Sequence, residues 1–405
     1  MIDSQSEHNS FKLFSILITV FISGIYLKLG FGVLYFSYFI FLFSFLSLTY
    51  ERALIYPRKL LLLFFCFSLY SILLVLFFDY EKLLQVLFSL SILFVIFTTY
   101  LHLIFKYGVK CVFLAYVKLA LFFSVVAIIQ ECFLLLGVDQ NLVSFNSIVK
   151  DMGGYWGVPG FSAEPAEFAI AIIPAFYFLL TSVAESRKHF FYFLIVLVAL
   201  ILSTSSLGFL GILLSLLCLF FEYVKRSFFK MLVTLPLFVF FVGYLLGQDF
   251  FMMRVVDSIY LLDNIEFIQP DGINLSSYAQ VVNLKITLMS LKEYLGFGPG
   301  FTLYSSVFDS YISNFSIPSH RDDIPGRGTA TSLVLRLTAE FGLLGLIFFV
   351  FFIIKYRVAI GKDKINTACF IFILLSSLRM GIYFANGMCL FILLYYFSSK
   401  SYINR

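Results

Sequence analysis

The chain of 405 residues is 61% hydrophobic and 13% charged, with a mean hydropathy of +1.00 and a net charge of +5. A soluble domain typically has about 25% charged residues, so this composition excludes an ordinary water-soluble protein. The basic residues recur at the ends of apolar runs and form no single patch, which excludes a nucleic-acid-binding surface. The six cysteines lie in or beside apolar runs without C-x-x-C spacing, which excludes a disulfide framework and a zinc site of the usual spacing.

Twelve apolar segments are predicted to cross the bilayer, because a spanning helix needs roughly 20 mostly apolar residues. The predicted spans are Lys12–Leu29, Phe31–Leu48, Leu60–Phe78, Leu83–Leu101, Val112–Leu136, Ala166–Val183, Phe190–Leu202, Leu207–Tyr223, Phe228–Leu246, Ser332–Ile354, Ile365–Leu378 and Ile382–Phe397. The seventh and eighth are short, and only the string STSS at 203–206 separates them. The predicted fold class is an all-α polytopic integral membrane protein with about 12 transmembrane helices, forming a single membrane domain over residues 1–405.

The distribution of lysine and arginine predicts the orientation, since these residues accumulate in short cytoplasmic loops. With both termini in the cytoplasm, the inner segments contain Lys12, Arg52, Arg58, Lys59, Lys106, Lys110, Arg187, Lys188, Lys225, Arg226, Lys230, Lys355, Arg357, Lys362, Lys364, Lys400 and Arg405. The short outer loops contain only Lys28, Lys82, Lys150 and Arg379. Merging the seventh and eighth spans reverses every later segment and destroys this asymmetry, so the two are kept separate.

Two outer segments are too long to be simple turns. One covers residues 137–165. The other, residues 248–331 between the ninth and tenth spans, far exceeds an ordinary connection, and loops of such length are usually functional. Within it, Ser277–Tyr294 is predicted to be a helix with one apolar stripe, Val281, Leu284, Leu288 and Leu291, lying along the membrane surface.

Three motifs contain the residues best suited to chemistry. In GVPGFSAEPAEFA at 157–169, Glu164 and Glu167 open the sixth span, where acids favour the positive end of the helix dipole; helix capping and a functional role for Glu164 are both open. In LGFGPGF at 295–301, Gly298 and Gly300 suit either a phosphate-binding turn or a plain tight turn.

The third motif, RGTATSLVLRLTAEFGLLGL at 327–346, places Arg336 and Glu340 four residues apart on one face of a helix. Ionisable residues within a span are costly and are candidates for function, with a structural ion pair as the alternative. Gly342 and Gly345 favour close packing of helices over ligand binding.

Together, these motifs resemble the O-antigen polymerase and ligase superfamily. A Gly-x-x-x-Glu-Pro segment opens a central span, a serine cluster precedes a glycine-containing span, a Gly-x-Gly-x-Gly turn follows a loop helix, and an acid-x-Gly-hydrophobic-x-Gly segment ends the large loop. The resemblance covers residues 157–346 in the expected order. Thr331 stands where the ligases have a histidine, and the serine cluster has no arginine, so the Wzy-type polymerases match better. The arginine expected shortly before Gly160 is also missing.

This resemblance implies a glycosyltransferase of the bacterial cytoplasmic (inner) membrane that joins undecaprenyl-diphosphate-linked oligosaccharides at the periplasmic face. A chain-length regulator is an implied partner, and no metal or other cofactor is implied. Cations must neutralise the departing diphosphate, and a carboxylate or histidine must accept a proton. The proposed diphosphate ligands are Arg327, Arg336, Arg254 and Arg321, with Gly298 and Gly300; the candidate bases are Glu164, Glu340, Asp322, Asp323 and His320.

Three other functions remain open. An O-antigen ligase transferring glycan to lipid A-core shares these motifs. A lipid-linked oligosaccharide flippase has a similar number of spans but places its binding groups near the midplane in internal repeats, whereas charges within these spans are scarce, chiefly Lys118 and Glu131, and no repeat is visible. A non-catalytic scaffold leaves the arginine-rich loop unexplained.

Overall fold

The architecture follows from a computed structural model that describes residues 11–29, 32–55, 57–143, 149–151, 155–226, 249–264, 273–317, 324–384 and 387–403, with isolated positions between 232 and 247. The helices are α1 (Phe11–Val20), α2 (Phe36–Tyr50), α3 (Arg58–Phe78), α4 (Leu83–Tyr107), α5 (Val109–Leu135), α6 (Gln140–Val143), α7 (Pro165–Ser182), α8 (Arg187–Leu202), α9 (Ser206–Arg226), α10 (Asp249–Asn264), α11 (Leu275–Glu293), α12 (Tyr304–Tyr311), α13 (Leu333–Lys355), α14 (Lys364–Arg379) and α15 (Met388–Ile403). Two short antiparallel hairpins pair β1 (Tyr26–Leu29) with β2 (Gly32–Tyr35) and β3 (Lys150–Asp151) with β4 (Trp156–Gly157).

Six of the described helices, α3, α4, α5, α7, α9 and α13, are long and apolar enough to cross a membrane. Several shorter helices are also apolar, so the protein is a predominantly helical, multi-pass membrane protein. The total of twelve spans stays a prediction. The ninth predicted span, Phe228–Leu246, lies largely outside the described residues.

The first predicted span differs from the structure. Its helix ends at Val20, and residues 26–29 form a strand instead of the last turns of a helix. The amide of Gly24 donates to the carbonyl of Phe161 over 2.8 Å, and the amide of Ala163 donates to Ser23 Oγ over 3.2 Å. These contacts with a distant segment replace the bonds that would continue the helix. Lys12–Leu29 is therefore only about half helical.

The doubtful seventh and eighth spans are separate helices, as predicted. α8 ends at Leu202, and the backbone turns through Thr204, which has a φ of 46°, before α9 begins at Ser206. The hydroxyl of Ser203 donates to the carbonyl of Leu200 and satisfies one free carbonyl of the helix end. Both helices pack against α7, which is buried along most of its length.

Helices α7 and α14 are antiparallel neighbours at the centre of the bundle. The Lys364 ammonium, at the start of α14, donates to the carbonyl of Thr181 and to Ser182 Oγ at the end of α7, over 3.0 and 3.1 Å. The start of α7 therefore lies beside the end of α14, and this end of the bundle contains the site.

The segment 248–331 contains a small subdomain with its own apolar core. α11 confirms the predicted loop helix and begins with an Asn274 cap, whose side chain accepts from the amides of Ser276 and Ser277. The core includes Tyr278, Val282, Ile286, Tyr304, Val307, Phe308 and Ile324. Of the predicted apolar stripe, Val281 is buried but Leu288 is 53% exposed, so the packed face of the helix is rotated from the stripe.

Candidate functional site

A buried ion pair joins the small subdomain within segment 248–331 to the apolar helices. Ser332 caps α13 by accepting from the amide of Leu335, and one turn later Arg336 Nε donates to Glu340 Oε1 over 2.9 Å. The hydroxyl of Tyr383 donates to Glu340 Oε2 over 2.9 Å. The backbone amide of Tyr304, at the start of α12, donates to Oε1 over 3.3 Å. Both carboxylate oxygens of Glu340 are thus satisfied.

The Arg336 guanidinium is similarly engaged. It donates from a terminal nitrogen to the carbonyl of Gly381 over 2.5 Å, and its central carbon lies 4.2 Å from the centre of the Tyr383 ring. Arg336 is 6% exposed and Glu340 is fully buried. This arrangement matches the structural alternative for the pair. It is poorly suited to Glu340 acting as a base, because a base must reach the proton that it accepts.

The glycine turn packs against the backbone of the same helix. The amide of Gly300 donates to the carbonyl of Glu340, and the amide of Leu343 donates to the carbonyl of Gly296, both over 2.9 Å. A Cβ atom at Gly298 would lie 2.5 Å from the carbonyl oxygen of Glu340. Gly342, with a φ of 65° and a ψ of −157°, interrupts α13 there. The prediction that Gly300 binds phosphate is not supported, because its amide is already bonded.

Tyr304 and Asn283 extend this network into the subdomain. The Tyr304 hydroxyl donates to Asn283 Oδ1 over 2.6 Å, and Asn283 Nδ2 donates to the carbonyls of Ala279 and Pro325. Burial, the largest cause, raises the pKa of Tyr304 well above its ordinary value, so the phenol remains a donor. The segment before α13 is thereby tied to α11.

The second carboxylate, Glu164, is differently placed. It occupies the cap position of α7 with an extended backbone, but its side chain accepts no capping hydrogen bond. The Arg379 guanidinium, at the end of α14, interacts electrostatically with Glu164. Both side chains are partly exposed, and neither forms a hydrogen bond or close ion pair with another described side chain. Among the described residues, the Glu164 carboxylate and the Arg379 guanidinium are thus within electrostatic range of each other, and neither side chain has a hydrogen-bond partner.

The two charged pairs are neighbours. Arg379 lies two residues before Gly381, whose carbonyl accepts from Arg336. One helical turn after Glu164, Glu167 Oε2 accepts from the Ser23 hydroxyl over 2.6 Å. Charges of both signs thus converge at the starts of α7 and α13 and the end of α14.

A series of aromatic rings extends from the neighbourhood of Glu167 to the Arg336–Glu340 pair. The Tyr35 and Tyr38 ring centres are 5.5 Å apart, Tyr38 and Phe384 are 6.3 Å apart, and Phe384 and Tyr383 are 6.3 Å apart. Tyr35 is within electrostatic range of Glu167, and Tyr38 is within range of Arg336. The hairpin and α2 therefore contribute an aromatic wall to the site. Ligand sites commonly combine such walls with a few placed polar groups.

The other predicted site residues lie elsewhere. Arg327 makes a bidentate ion pair with Asp309, with both bonds at 2.6 Å, and the two side chains are 61% and 47% exposed. Arg254 lies on α10, and its side chain is outside the described part of the chain. The remaining predicted residues, His320, Arg321, Asp322 and Asp323, also lie outside the described residues. No group of three or more metal-ligating side chains occurs among the described residues.

Sequence reasoning did not assign Arg379 or Tyr383 to the site. The charge distribution predicts only that Arg379 lies in a short outer loop. A lone arginine at that end of an apolar helix runs against the general charge asymmetry, and this is the signal in the sequence that marks the residue. Tyr383 had no comparable signal in a chain with 25 tyrosines.

The arrangement has two chemical capabilities. The Glu164 carboxylate can accept a proton from a hydroxyl group. The Arg379 guanidinium can form bidentate hydrogen bonds with a phosphate, and such charge-assisted bonds are roughly twice as strong as neutral ones. No protein-family model matches this chain, and neither a characterised protein nor a solved structure shows significant similarity to it.

Proposed function

We propose that this protein is a Wzy-type polymerase of the bacterial inner membrane, joining undecaprenyl-diphosphate-linked oligosaccharides at the outer face. The observation that carries this proposal is the Glu164 carboxylate within electrostatic range of the Arg379 guanidinium, with neither side chain hydrogen-bonded to a described residue. This pair lies where a folded outer subdomain meets apolar helices, so one ligand can contact both polar groups and lipid. Diphosphate-linked sugars on a polyprenyl tail have this mixed character.

In the proposed reaction, a sugar hydroxyl of the incoming repeat attacks the anomeric carbon of the growing glycan. The bond between that carbon and the diphosphate oxygen breaks, and the diphosphate leaves with the bonding electrons. Glu164 accepts the hydroxyl proton. Arg379 stabilises the negative charge that develops on the diphosphate. Arg336 and Glu340 position the segment 379–381 through the Gly381 carbonyl.

The aromatic wall contributes a surface for the sugar rings, whose C–H faces pack against aromatic side chains. Tyr35 and Tyr38 are neighbours, and they are within electrostatic range of Glu167 and Arg336, respectively. A flippase instead requires binding groups near the midplane of its spans. The polar groups here lie at helix ends, and this placement favours chemistry at the membrane surface over transport.

The test compares surface polysaccharide on gels from cells that lack the protein and cells that express it or a variant. We expect cells lacking it to display core capped with single repeats and no ladder. Glu164→Gln and Arg379→Gln should each reduce polymer by about 10²-fold or more, the usual contribution of acid–base or charge stabilisation. Asp309→Asn is the matched control, because it removes an exposed carboxylate of the outer subdomain, and it should leave the ladder intact.

Protein abundance in the membrane must be measured for each variant, so that loss of folding is separated from loss of chemistry. Uncapped core with long glycan retained on the lipid carrier would identify a ligase instead. An unchanged ladder without the protein, or a normal ladder with Glu164→Gln, would refute the proposed reaction.

A further inference from the structure

A large cavity lies at the opposite end of the bundle from the candidate site. Its volume is about 1050 Å³, and it is bounded by the ends of α4 and α7, the starts of α5, α8 and α14, and part of α1. The site lies at the start of α7 and the end of α14, whereas the cavity lies at the other ends of the same helices. The charge distribution predicts that this end faces the cytoplasm.

The cavity combines apolar walls with a cationic rim. Besides His189, its charged residues are Lys110, Lys118, Lys362, Lys364 and one acid, Asp363. The Asp363 carboxylate already accepts from the amides of Ile365 and Asn366, as the cap of α14. The rim therefore has an excess of positive charge.

The lysines of the rim differ in whether they form an ion pair with a carboxylate of the protein. Lys364 forms an ion pair with Glu185. In contrast, the side chains of Lys110 and Lys118 form no ion pair or hydrogen bond with a described residue. Two cations on one helix thus line the cavity, and neither has a carboxylate within ion-pair distance among the described residues; Lys110 is within electrostatic range of Glu185.

The position of Lys118 makes this unusual. It is the tenth residue of α5, about 14 Å along the helix axis from Val109. It shares one stripe of the helix with Cys111, Leu114 and Leu121, all of which line the cavity. A lysine at such depth in a spanning helix is costly and usually has an ionic partner or reaches towards the interface.

We propose that this cavity binds an anionic phospholipid of the surrounding leaflet, with the phosphate between Lys110 and Lys118 and the acyl chains along the apolar wall. The wall is formed by Phe14, Leu114 and Phe178 among others. This occupant is favoured over a soluble phosphate because most of the lining is apolar, and over a zwitterionic lipid because the rim has excess positive charge. The volume is at the upper end of typical ligand sites, about 300–1,000 Å³, and suits a headgroup with the first part of its chains.

The experiment uses the full-length protein, purified and delipidated in neutral detergent, with dioleoyl-phosphatidylglycerol as the probe. We expect this lipid to raise the thermal unfolding temperature, and dioleoyl-phosphatidylcholine or glycerol phosphate at equal concentration to have little effect. Lys110→Gln/Lys118→Gln should weaken lipid binding at least tenfold. Lys188→Gln is the matched control, since it removes an exposed lysine at the same end outside the cavity lining and should bind as the wild type does.

Equal stabilisation by phosphatidylcholine, or unchanged affinity in the double variant, would overturn the proposal. Stabilisation by glycerol phosphate would assign the site to a soluble phosphate and would also overturn it. If the double variant does not fold, the lipid affinity of the single variant Lys110→Gln tests the proposal instead. Lys110 is exposed at the start of α5, so its replacement should not prevent folding. None of these outcomes depends on polymerase activity.

Discussion

Replacing Arg336 with alanine tests whether the buried ion pair holds the small subdomain within segment 248–331 on the apolar helices. The substitution leaves the Glu340 carboxylate, which is fully buried, with hydrogen bonds from Tyr383 and Tyr304 but without its guanidinium. Removing one partner of a buried pair costs about 3–5 kcal/mol, because an uncompensated charge remains. At 1.4 kcal/mol per factor of ten, this is roughly a 10²- to 4 × 10³-fold change in the unfolding equilibrium.

The double variant Arg336→Ala/Glu340→Gln separates charge from packing. An amide at position 340 needs no counter-charge, so we expect the double variant to recover at least half of the lost free energy of unfolding. The assay is equilibrium unfolding of purified protein in mixed micelles with an increasing fraction of sodium dodecyl sulfate. Trp156 is the sole tryptophan of the chain and is a convenient fluorescence probe.

The same variants separate positioning from direct contact with substrate. If Arg336 acts only by holding the segment around Gly381, polymer should fall with Arg336→Ala and return in part with the double variant. An Arg336→Ala protein as stable as wild type would refute the buried-charge reasoning. A double variant that is stable but makes no polymer would assign Arg336 to diphosphate binding.

Two further predictions concern the glycine turn and the exposed ion pair. Gly298→Ala should destabilise the protein by about 2 kcal/mol or more beyond Gly296→Ala in the same unfolding assay; both glycines have positive φ, but only at Gly298 does a Cβ meet backbone, 2.5 Å from the carbonyl oxygen of Glu340. Equal effects would show that close packing does not select glycine. Arg327→Gln should change the free energy of unfolding by less than about 1 kcal/mol, because its pair with Asp309 is largely exposed. A larger loss would contradict that placement, and loss of polymer at unchanged stability would restore Arg327 as a substrate ligand.

Features that depend on neighbouring residues in the chain were predictable. The apolar runs of α3, α4, α5 and α7 were located to within a few residues at most ends, since the length and apolar character of a span are local properties. The loop helix α11 was also located. The proximity of Arg336 and Glu340 followed from their spacing of four residues, because helix geometry alone places them on one face.

Features that depend on contacts between distant segments were not predictable. α1 ends at Val20 because the following residues form hydrogen bonds with segment 161–163. The apolar character of the sequence does not indicate that contact. For the glycine turn, the sequence suggested either a phosphate-binding turn or a plain tight turn. Neither interpretation included its packing against the backbone of α13.

The sequence by itself determined that this protein is a multi-pass helical membrane protein, and it located the charged motifs at the ends of spans. Only the tertiary structure decided which charges are already satisfied. Glu340 is buried and its carboxylate accepts hydrogen bonds from three groups. The Glu164 carboxylate accepts none from a described side chain and is within electrostatic range of Arg379, more than 200 residues away in the chain. The physical reason is that the availability of a carboxylate depends on the groups that fold around it, and those groups come from other helices.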